Sequence, residues 1–331
     1  MTDAVRYVDD SAPGITRIKK GKGWCYYDER GRKITRLAEI DRLDAIALPP
    51  AYADAWFCPK RDGHIQAVGW DAKGRKQYRY HTAFRSAREA DKYARCADFG
   101  MVLPAIRNKV ETDLSRVKID RDTTIAAVVR LLDRGSVRVG NESYARANKS
   151  YGATTLRKRH AHVKGKLVLL EYVGKSGIIQ SIRVEDKRLA RVVRRCLDQS
   201  HLTLFEYVEA NGERHAVTSN DVNQYMRDAS GADFTAKDFR TWGASVIALE
   251  ALLLQGSPST MKAMLEPVAA SLGNTPAIAR KSYIHPAVIM LIDTPRKIES
   301  LRASIPRKTR FLCGTERALL KLLGAKNSVS I

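Results

Sequence analysis

The stretch from Leu272 to Pro286 reads Leu-Gly-Asn-Thr-Pro-Ala-Ile-Ala-Arg-Lys-Ser-Tyr-Ile-His-Pro. Glycine and asparagine tolerate turn dihedral angles and proline suits the first position of a helix, so the pattern predicts a turn at residues 273–276 and a short helix after it. We expect Pro286 to end or bend that helix. Tyr283 would then lie near a chain break and beside cationic residues. A tyrosine in such a helix is usually a core or surface residue, so a catalytic role needs support from the rest of the chain.

The composition predicts a polyanionic partner. The 331 residues include 58 lysines and arginines against 36 aspartates and glutamates, which gives a net charge of +22. The excess positive charge is spread along the chain. Repulsion between these charges destabilises the folded protein unless a partner neutralises them. A basic surface that only faces solvent is the alternative. We expect nucleic acid as the partner.

The cysteines and the apolar runs predict the cellular compartment of the protein. Five cysteines are scattered without a Cys-x-x-Cys pair, which argues against a disulfide framework and against a structural zinc site. No apolar run approaches the roughly 20 residues of a membrane span, and no basic start leads into an apolar leader. We therefore expect a cytoplasmic protein that is neither secreted nor embedded in a membrane.

The periodicity of the chain predicts an α+β fold with two domains. Short β-like runs broken by glycine-containing turns fill residues 23–80, and we expect residues 1–85 to form a small, mainly antiparallel β domain. Beyond them, apolar residues recur three and four apart in residues 86–99 and 105–117, which predicts two helices. We expect residues 86–331 to form a larger, mostly helical domain that also contains a β-hairpin.

The last strand of the predicted β domain alternates aromatic and polar side chains. Tyr78 and Tyr80 would share one face, with Gln77 and Arg79 on the other. After a strongly basic turn, a strand of this kind could lie in a DNA groove. The alternative is that both tyrosines belong to the core and only the cations meet solvent.

Basic segments in the larger domain predict contacts with phosphate groups. Residues 144–166 hold seven lysines and arginines and no acid, interleaved with tyrosines and histidines. A merely solvated face is the alternative. A predicted helix at residues 186–197 carries three more arginines on one face that could also meet a polyanion. The residues predicted to contact DNA here are Asn141, Tyr144, Lys149, Tyr151, Arg157, Lys158 and Arg159.

Three cations lie where the predicted structure gives them a special role. Arg138 falls between two valines on a short extended piece, and would need an anion if buried. Arg240 enters the start of an apolar helix, where it is either paired with a distant carboxylate or kept for a substrate anion. Lys175 is predicted at the tip of a hairpin between strands at residues 167–173 and 178–184. Its Gly-Lys-Ser sequence is no nucleotide-binding loop, because a strand and not a helix follows.

Together with Asn274 and Tyr283, these cations suit the attack of a tyrosine on a phosphodiester without a metal or another cofactor. Arg138 and Arg240 could donate to the non-bridging oxygens of the transition state. Lys175 could protonate the leaving hydroxyl, and Asn274 could donate its amide hydrogen to the same phosphate. Tyr283 would be the nucleophile. No cluster of carboxylates indicates a two-metal site.

Six motifs occur in order: Gln77-Tyr78-Arg79-Tyr80, Val137-Arg138-Val139-Gly140, Tyr151-Gly152-Ala153-Thr154-Thr155-Leu156, Val173-Gly174-Lys175, Lys237-Asp238-Phe239-Arg240-Thr241, and Leu272 to Tyr283. The set resembles the poxvirus-type, bacterial branch of DNA topoisomerase IB. The resemblance implies that two domains close as a C-shaped clamp around duplex DNA, with the tyrosine strand in the major groove. It also implies that one strand is cut to a 3′-phosphotyrosine and a 5′-hydroxyl, swivels and is resealed without ATP. We expect a monomer without an obligatory protein partner, associated with the nucleoid.

One position departs from the family that the chain resembles. The family has a histidine in Leu-Gly-His-Thr-Pro, where this chain has Asn274. An asparagine can donate a hydrogen bond but cannot become cationic near neutral pH. Two alternatives stay open. In a tyrosine recombinase, a histidine would stand at the position of Lys237, and in a non-catalytic DNA-binding protein only the charge would matter.

Overall fold

The computed structural model describes residues 5–21, 23–199, 202–256 and 259–324. The chain divides into two compact units, Met1–Lys92 and Tyr93–Ile331. The first contains an antiparallel sheet and the second is mostly helical, which confirms the α+β class. Among the described residues, no helix is both long enough and apolar enough to cross a lipid bilayer.

The first unit is built on a five-stranded antiparallel sheet. Its strands are β1 Ile15–Lys20, β2 Gly23–Tyr27, β3 Ala53–Phe57, β4 Ile65–Trp70 and β5 Lys76–Tyr80, in the spatial order β2-β1-β3-β4-β5. A helix, α1 Leu37–Ala45, places Leu43 in a core with Tyr26 and Phe57. The hydroxyl of Tyr26 donates to Asp44 Oδ1 over 2.6 Å, which ties the helix to the sheet. The sequence patterns predicted neither α1 nor β1.

A single helix, α2 Thr82–Ser115, replaces the two helices predicted between residues 86 and 117. Gly100 and Pro104 separate the two predicted segments, but the buried face continues through both of them. A Cβ atom on Gly100 would lie 2.3 Å from the ring of Trp242, so this glycine allows close packing and does not break the helix. The boundary between the two units falls inside α2.

Helices and two small sheets make up the second unit. Its helices are α3 Arg121–Gly135, α4 Glu142–Asn148, α5 Lys187–Leu197, α6 Ser219–Ser230, α7 Ala236–Gln255, α8 Met261–Leu272, α9 Pro276–Ser282, α10 Pro286–Ile289, α11 Pro295–Ala303 and α12 Gly314–Leu322. The antiparallel strands β6 Ala161–Lys164, β7 Leu167–Val173 and β8 Ile179–Glu185 form one sheet, and β9 Glu206–Val208 and β10 Arg214–Ala216 form the other. The predicted hairpin is confirmed within one residue at each strand end.

The arginine face of α5 makes bonds to the protein itself, and its contact with a polyanion stays a prediction. Arg188 forms an ion pair with Glu111, and Arg191 and Arg195 donate to carbonyls at the end of α2 and just beyond it. The last carbonyls of a helix lack partners within the helix and carry a partial negative charge, which attracts these cations.

A buried ionic network ties three helices of the second unit together. The Arg107 guanidinium of α2 donates to Asp133 of α3 over 2.8 and 2.9 Å, and to Glu316 of α12 over 2.8 and 2.9 Å. Trp242 of α7 donates its indole N–H to the same glutamate over 3.3 Å. This network fixes α12 against the helix that carries Arg240.

Candidate active site

The turn after α8 places Tyr283 as the sequence predicts. Gly273 caps α8 with φ +58, and the hydroxyl of Thr275 accepts from Ile278 N at the start of α9. Pro276 is the first residue of α9, and Tyr283 follows its last residue. Pro286 does not end this helix, because α9 stops at Ser282. The proline instead begins α10, where its fixed φ suits the first turn.

Tyr283 is half-buried beside a guanidinium group. The Cζ atom of Arg240 lies 4.9 Å from the centroid of the tyrosine ring. Burial alone would raise the pKa of the phenol, but the charge of Arg240 and, more weakly, that of Arg138 outweigh it and hold the pKa below its usual value. The environment therefore favours the phenolate, which is the nucleophilic form.

Arg240 is buried without a carboxylate partner among the described residues. Its side chain is held by the carbonyl oxygens of Ser136 and Leu272, the latter at 3.0 Å, and its Nε has no hydrogen-bond partner in the described part of the chain. Burial and then the nearby charge of Arg138 lower its pKa. Of the two alternatives drawn from the sequence, a distant carboxylate is not seen here. The cation remains available to a substrate anion.

Arg138 is held by the chain that follows α4. The backbone N–H of Ala153 donates to Arg138 O over 2.8 Å. A Cβ atom on Gly152 would lie 2.6 Å from that oxygen, so only glycine allows this approach. The guanidinium Nη2 of Arg138 donates to Asn274 Oδ1 over 2.6 Å, and the amide Nδ2 of Asn274 is buried without a partner among the described residues. This amide lies close enough to the Tyr283 phenol to contribute to lowering its pKa, so it is directed at the place where a substrate anion would meet the nucleophile.

One cavity of about 370 Å³ brings four of the five predicted catalytic side chains together. Lys175 reaches it from the turn between β7 and β8, where its side chain is exposed. Asn274 does not line the cavity, but it is bonded to Arg138, which does. The lining residues are Arg138, Val139, Gly140, Asn141, Tyr144, Ser150, Tyr151, Lys175, Ala236, Lys237, Arg240 and Tyr283.

Comparisons with known proteins place the chain in a family. Residues 81–308 match the model of the eukaryotic DNA topoisomerase I catalytic core, and residues 23–71 match that of the bacterial DNA topoisomerase IB N-terminal domain. The chain is 30% identical over 285 residues to DNA topoisomerase 1B of Acanthamoeba polyphaga mimivirus, covering 82% of this chain and 85% of the relative. The chain belongs to the type IB DNA topoisomerase family. It is also 21% identical over 237 residues to DNA topoisomerase 1B of Vaccinia virus (strain Copenhagen), covering 68% of this chain and 71% of that protein.

Several residues predicted to contact DNA lie around the cavity of this topoisomerase, and others bind the protein. Asn141, Tyr144 and Tyr151 line the cavity. Arg157, however, donates to Glu142 over 2.9 Å and to Thr203 over 2.7 Å. The Lys158 ammonium donates to the carbonyl oxygen of Leu197 over 2.8 Å, whereas Lys149 and Arg159 are exposed. The protein itself therefore engages Arg157 and Lys158 through short bonds, and Arg159 through longer ones to His160 over 3.4 Å and Tyr151 over 3.5 Å.

The tyrosines of β5 in the first unit of the topoisomerase are not core residues, so that alternative is wrong. Tyr78 is 39% exposed and Tyr80 45% exposed, and their rings stack with centroids 5.8 Å apart. Gln77 donates to Asp71 over 3.1 Å and Arg79 to the carbonyl oxygen of Ala47 over 3.0 Å. The strand thus presents two flat apolar rings to solvent between polar side chains that are held in place.

The structure adds two residues to the predicted site of the topoisomerase. Lys237 lines the cavity one helical turn before Arg240, a spacing that already placed them on one face of α7. Tyr172 of β7 is buried near both arginines, and burial raises the pKa of its phenol to about 12 against their opposing charges. No sequence signal distinguished Tyr172 from an ordinary core residue of a strand.

A group of side chains that could share a metal ion lies elsewhere in the topoisomerase. Glu209, Glu213 and His215 are close to one another on the β9–β10 hairpin. None of the three lines the cavity around Tyr283.

Proposed function

We propose that this type IB topoisomerase relaxes supercoiled duplex DNA by cutting one strand through Tyr283 and resealing it. The observation that carries the proposal is the single cavity shared by Arg138, Lys175, Arg240 and Tyr283. A nucleophile, two guanidinium groups and a flexible ammonium are the groups that a metal-free phosphoryl transfer needs.

The nucleophile is the Tyr283 phenol oxygen. The oxygen loses its proton to solvent, attacks the phosphorus of a DNA phosphodiester and forms a phosphotyrosine, while the bond from phosphorus to the 5′ oxygen breaks. Its pKa, lowered by the two arginines against the effect of burial, raises the share of the attacking form. The phosphoester bond to tyrosine conserves the energy of the bond that was cut, so resealing needs no ATP.

The two arginines stabilise the charge that builds up on phosphorus. Arg240 has a free Nε and no carboxylate partner among the described residues, so a phosphate is the anion that its site can accept. Arg138 keeps one bond to Asn274, which orients its guanidinium, and Asn274 offers its free Nδ2 to the same phosphate. Loss of either arginine should slow cleavage roughly a hundredfold or more, by analogy with the removal of one oxyanion donor.

Lys175 completes the reaction as general acid. The departing 5′ oxygen would be a strongly basic alkoxide, so it takes a proton from the ammonium as its bond to phosphorus breaks. In resealing, the same nitrogen removes the proton from the 5′-hydroxyl, and Tyr283 is released. An exposed position on a three-residue turn gives Lys175 the freedom to reach the leaving group.

We further infer that the two units divide the work on DNA. The exposed Tyr78–Tyr80 strand of the N-terminal unit suits a groove, and Asn141, Tyr144, Lys149, Tyr151 and Arg159 suit the backbone near the site. Arg157 and Lys158 would have to exchange their protein partners for phosphates. The basic surface supports duplex DNA as the partner and a place at the nucleoid. We infer a monomer without an obligatory protein partner, since one tyrosine acts on one strand.

Plasmid relaxation tests the proposal directly. Negatively supercoiled plasmid is incubated in EDTA without ATP with wild type, Tyr283→Phe or Lys175→Ala. We expect relaxation by wild type only, with a covalent protein–DNA adduct trapped by denaturant. If wild type binds the plasmid but neither relaxes it nor forms the adduct, the chain is a DNA-binding protein and the catalytic assignment is wrong. A parallel assay on a plasmid with paired sites tests recombination, for which we expect no product.

A further inference from the structure

A glutamine that the reaction scheme leaves unused lies between two parts of the site. Gln180 is the second residue of β8, pairs with Tyr172 across the sheet and is 8% exposed. Its side chain points to the buried face of the hairpin, away from the exposed Ile179. No hydrogen bond joins its amide group to another described residue. The side chain therefore acts through the space that it fills.

Two glycines show how closely that space is shared. A Cβ atom on Gly273 would lie 2.4 Å from both Nε2 and Oε1 of Gln180, and one on Gly174 would lie 2.8 Å from its Cγ. Both distances are far below van der Waals contact. The glutamine side chain thus takes the volume that any larger residue at either position would need.

The two glycines directly precede two of the residues assigned to the reaction. Gly174 is followed by Lys175 and Gly273 by Asn274. The side chain of Gln180 consequently lies between the turn that carries the general acid, Lys175, and the turn that carries Asn274, the hydrogen-bond donor to the phosphate. We infer that Gln180 is a positioning residue that holds these two turns at the separation cleavage requires. The inference rests on the proposed function.

Backbone hydrogen bonds from Gly174 to Ile178 over 2.8 Å and from Gly177 to Gly174 over 3.2 Å close the hairpin turn, but they do not fix its distance from the turn at Asn274. Lys175 and Ser176 are exposed, and Ser176 adopts φ +65, which is unfavourable for a residue with a side chain. A general acid must lie within hydrogen-bond reach of the oxygen that it protonates. A misplacement of about 1 Å can cost about a hundredfold in rate.

Single-turnover cleavage of two DNA duplexes tests the role of Gln180. One duplex has an ordinary scissile phosphodiester, and in the other a sulfur atom replaces the 5′ leaving oxygen. A thiolate leaves without protonation, so cleavage of the sulfur duplex does not depend on Lys175. Lys175→Ala therefore serves as the reference for a variant whose cleavage rate recovers fully on the sulfur duplex. Asn274→Ala serves as the reference for a variant whose cleavage rate does not recover.

For Gln180→Ala we expect cleavage of the ordinary duplex to slow at least about tenfold, with partial recovery on the sulfur duplex. Recovery stays partial because the Asn274 turn is displaced as well. Ile179→Ala, its exposed neighbour on the same strand, serves as the matched control and should cleave both duplexes at nearly the wild-type rate. Gln180→Met keeps the length of the side chain and should restore cleavage of the ordinary duplex to within about threefold of wild type.

Three results would overturn the inference. In the first, Gln180→Ala cleaves the ordinary duplex as fast as wild type. In the second, its cleavage rate falls by the same factor on both duplexes, which would mean that Lys175 is not displaced. Gln180→Met could be as slow as Gln180→Ala while its thermal unfolding matches wild type, which would exclude space filling. If wild type itself fails to cleave, the proposed function falls together with this inference; if wild type cleaves, the three results concern Gln180 alone.

Discussion

Replacing Arg107 with methionine should expose how much the second unit depends on its buried ionic network. The side chains of Arg107, Asp133 and Glu316 are 13%, 5% and 8% exposed, and four hydrogen bonds of 2.8 to 2.9 Å join them. Arg107→Met leaves two buried carboxylates without their cation. Removing one partner of a buried ion pair costs about 3 to 5 kcal/mol, and we expect a loss of that size in the free energy of unfolding at pH 7.5.

The loss should depend on pH in a direction that the network fixes. In the wild type, burial alone would raise the pKa of Glu316, but Arg107 holds it below its usual value. Its contribution to stability is therefore present above the unfolded pKa and is lost as pH falls through the folded one. Without Arg107, burial dominates and the folded pKa rises, so the variant gains stability as pH falls. The difference between the two proteins should shrink from pH 7.5 to about pH 5.

Urea unfolding followed by tryptophan fluorescence measures this difference. Of the four tryptophans, Trp242 is the one in the sequence of residues 93–331, and it donates to Glu316, so its share of the signal follows the network. Arg134→Met is the matched control, because Arg134 lies 4.0 Å from Asp133 but its side chain is 57% exposed. The control should change stability by less than about 0.5 kcal/mol. A loss below about 1 kcal/mol for Arg107→Met, or an equal loss at both pH values, would refute the reasoning.

Three further predictions concern cleavage and DNA binding. Arg240→Ala should move the rising limb of the cleavage rate of Tyr283 to higher pH, because the guanidinium that lowers the phenol pKa is gone; single-turnover rates between about pH 6 and pH 10 measure this shift, and an unmoved limb would contradict it. Gly152→Ala should slow cleavage at least about tenfold while DNA binding persists, since its Cβ would displace the backbone that carries Arg138; equal rates for mutant and wild type would contradict this. Tyr78→Ala should lower the affinity for duplex DNA about tenfold, measured by fluorescence anisotropy, and should leave the unfolding temperature unchanged. A lower unfolding temperature with unchanged affinity would show that the ring stabilises the fold and does not bind DNA.

Local patterns predicted those parts of the fold that local physics determines. The hairpin that carries Lys175 follows from strand-like apolar runs around a glycine-containing turn, and the turn that contains Asn274 follows from dihedral preferences. Contacts distant in sequence were not predictable in this way. The hydrogen bond between Arg138 and Asn274 spans 136 positions, and nothing near either residue indicates its partner. Both residues were assigned to one site because the proposed reaction needs them, and not because of any periodicity in the sequence.

Tertiary packing accounts for features that the local patterns did not predict. Apolar spacing predicted two helices between residues 86 and 117, but Gly100 makes room for a tryptophan ring and a single helix, α2, continues through both segments. The arginine face of α5 was predicted only from its charge, and the structure adds that two of its arginines bind carbonyl groups at and just beyond the end of α2. In both cases only the folded structure shows the neighbours that these residues contact.

The setting of Arg240 has a consequence for the evolution of stability in this chain. A cation that is 5% exposed and held by carbonyl oxygens, without a carboxylate among the described residues, weakens the fold that carries it. An uncharged residue of similar length, as in Arg240→Met, should therefore unfold at a higher temperature than wild type while cleaving no DNA. Selection for thermal stability alone would favour replacing this arginine, so the catalytic role that we propose for Arg240 is gained at the expense of stability.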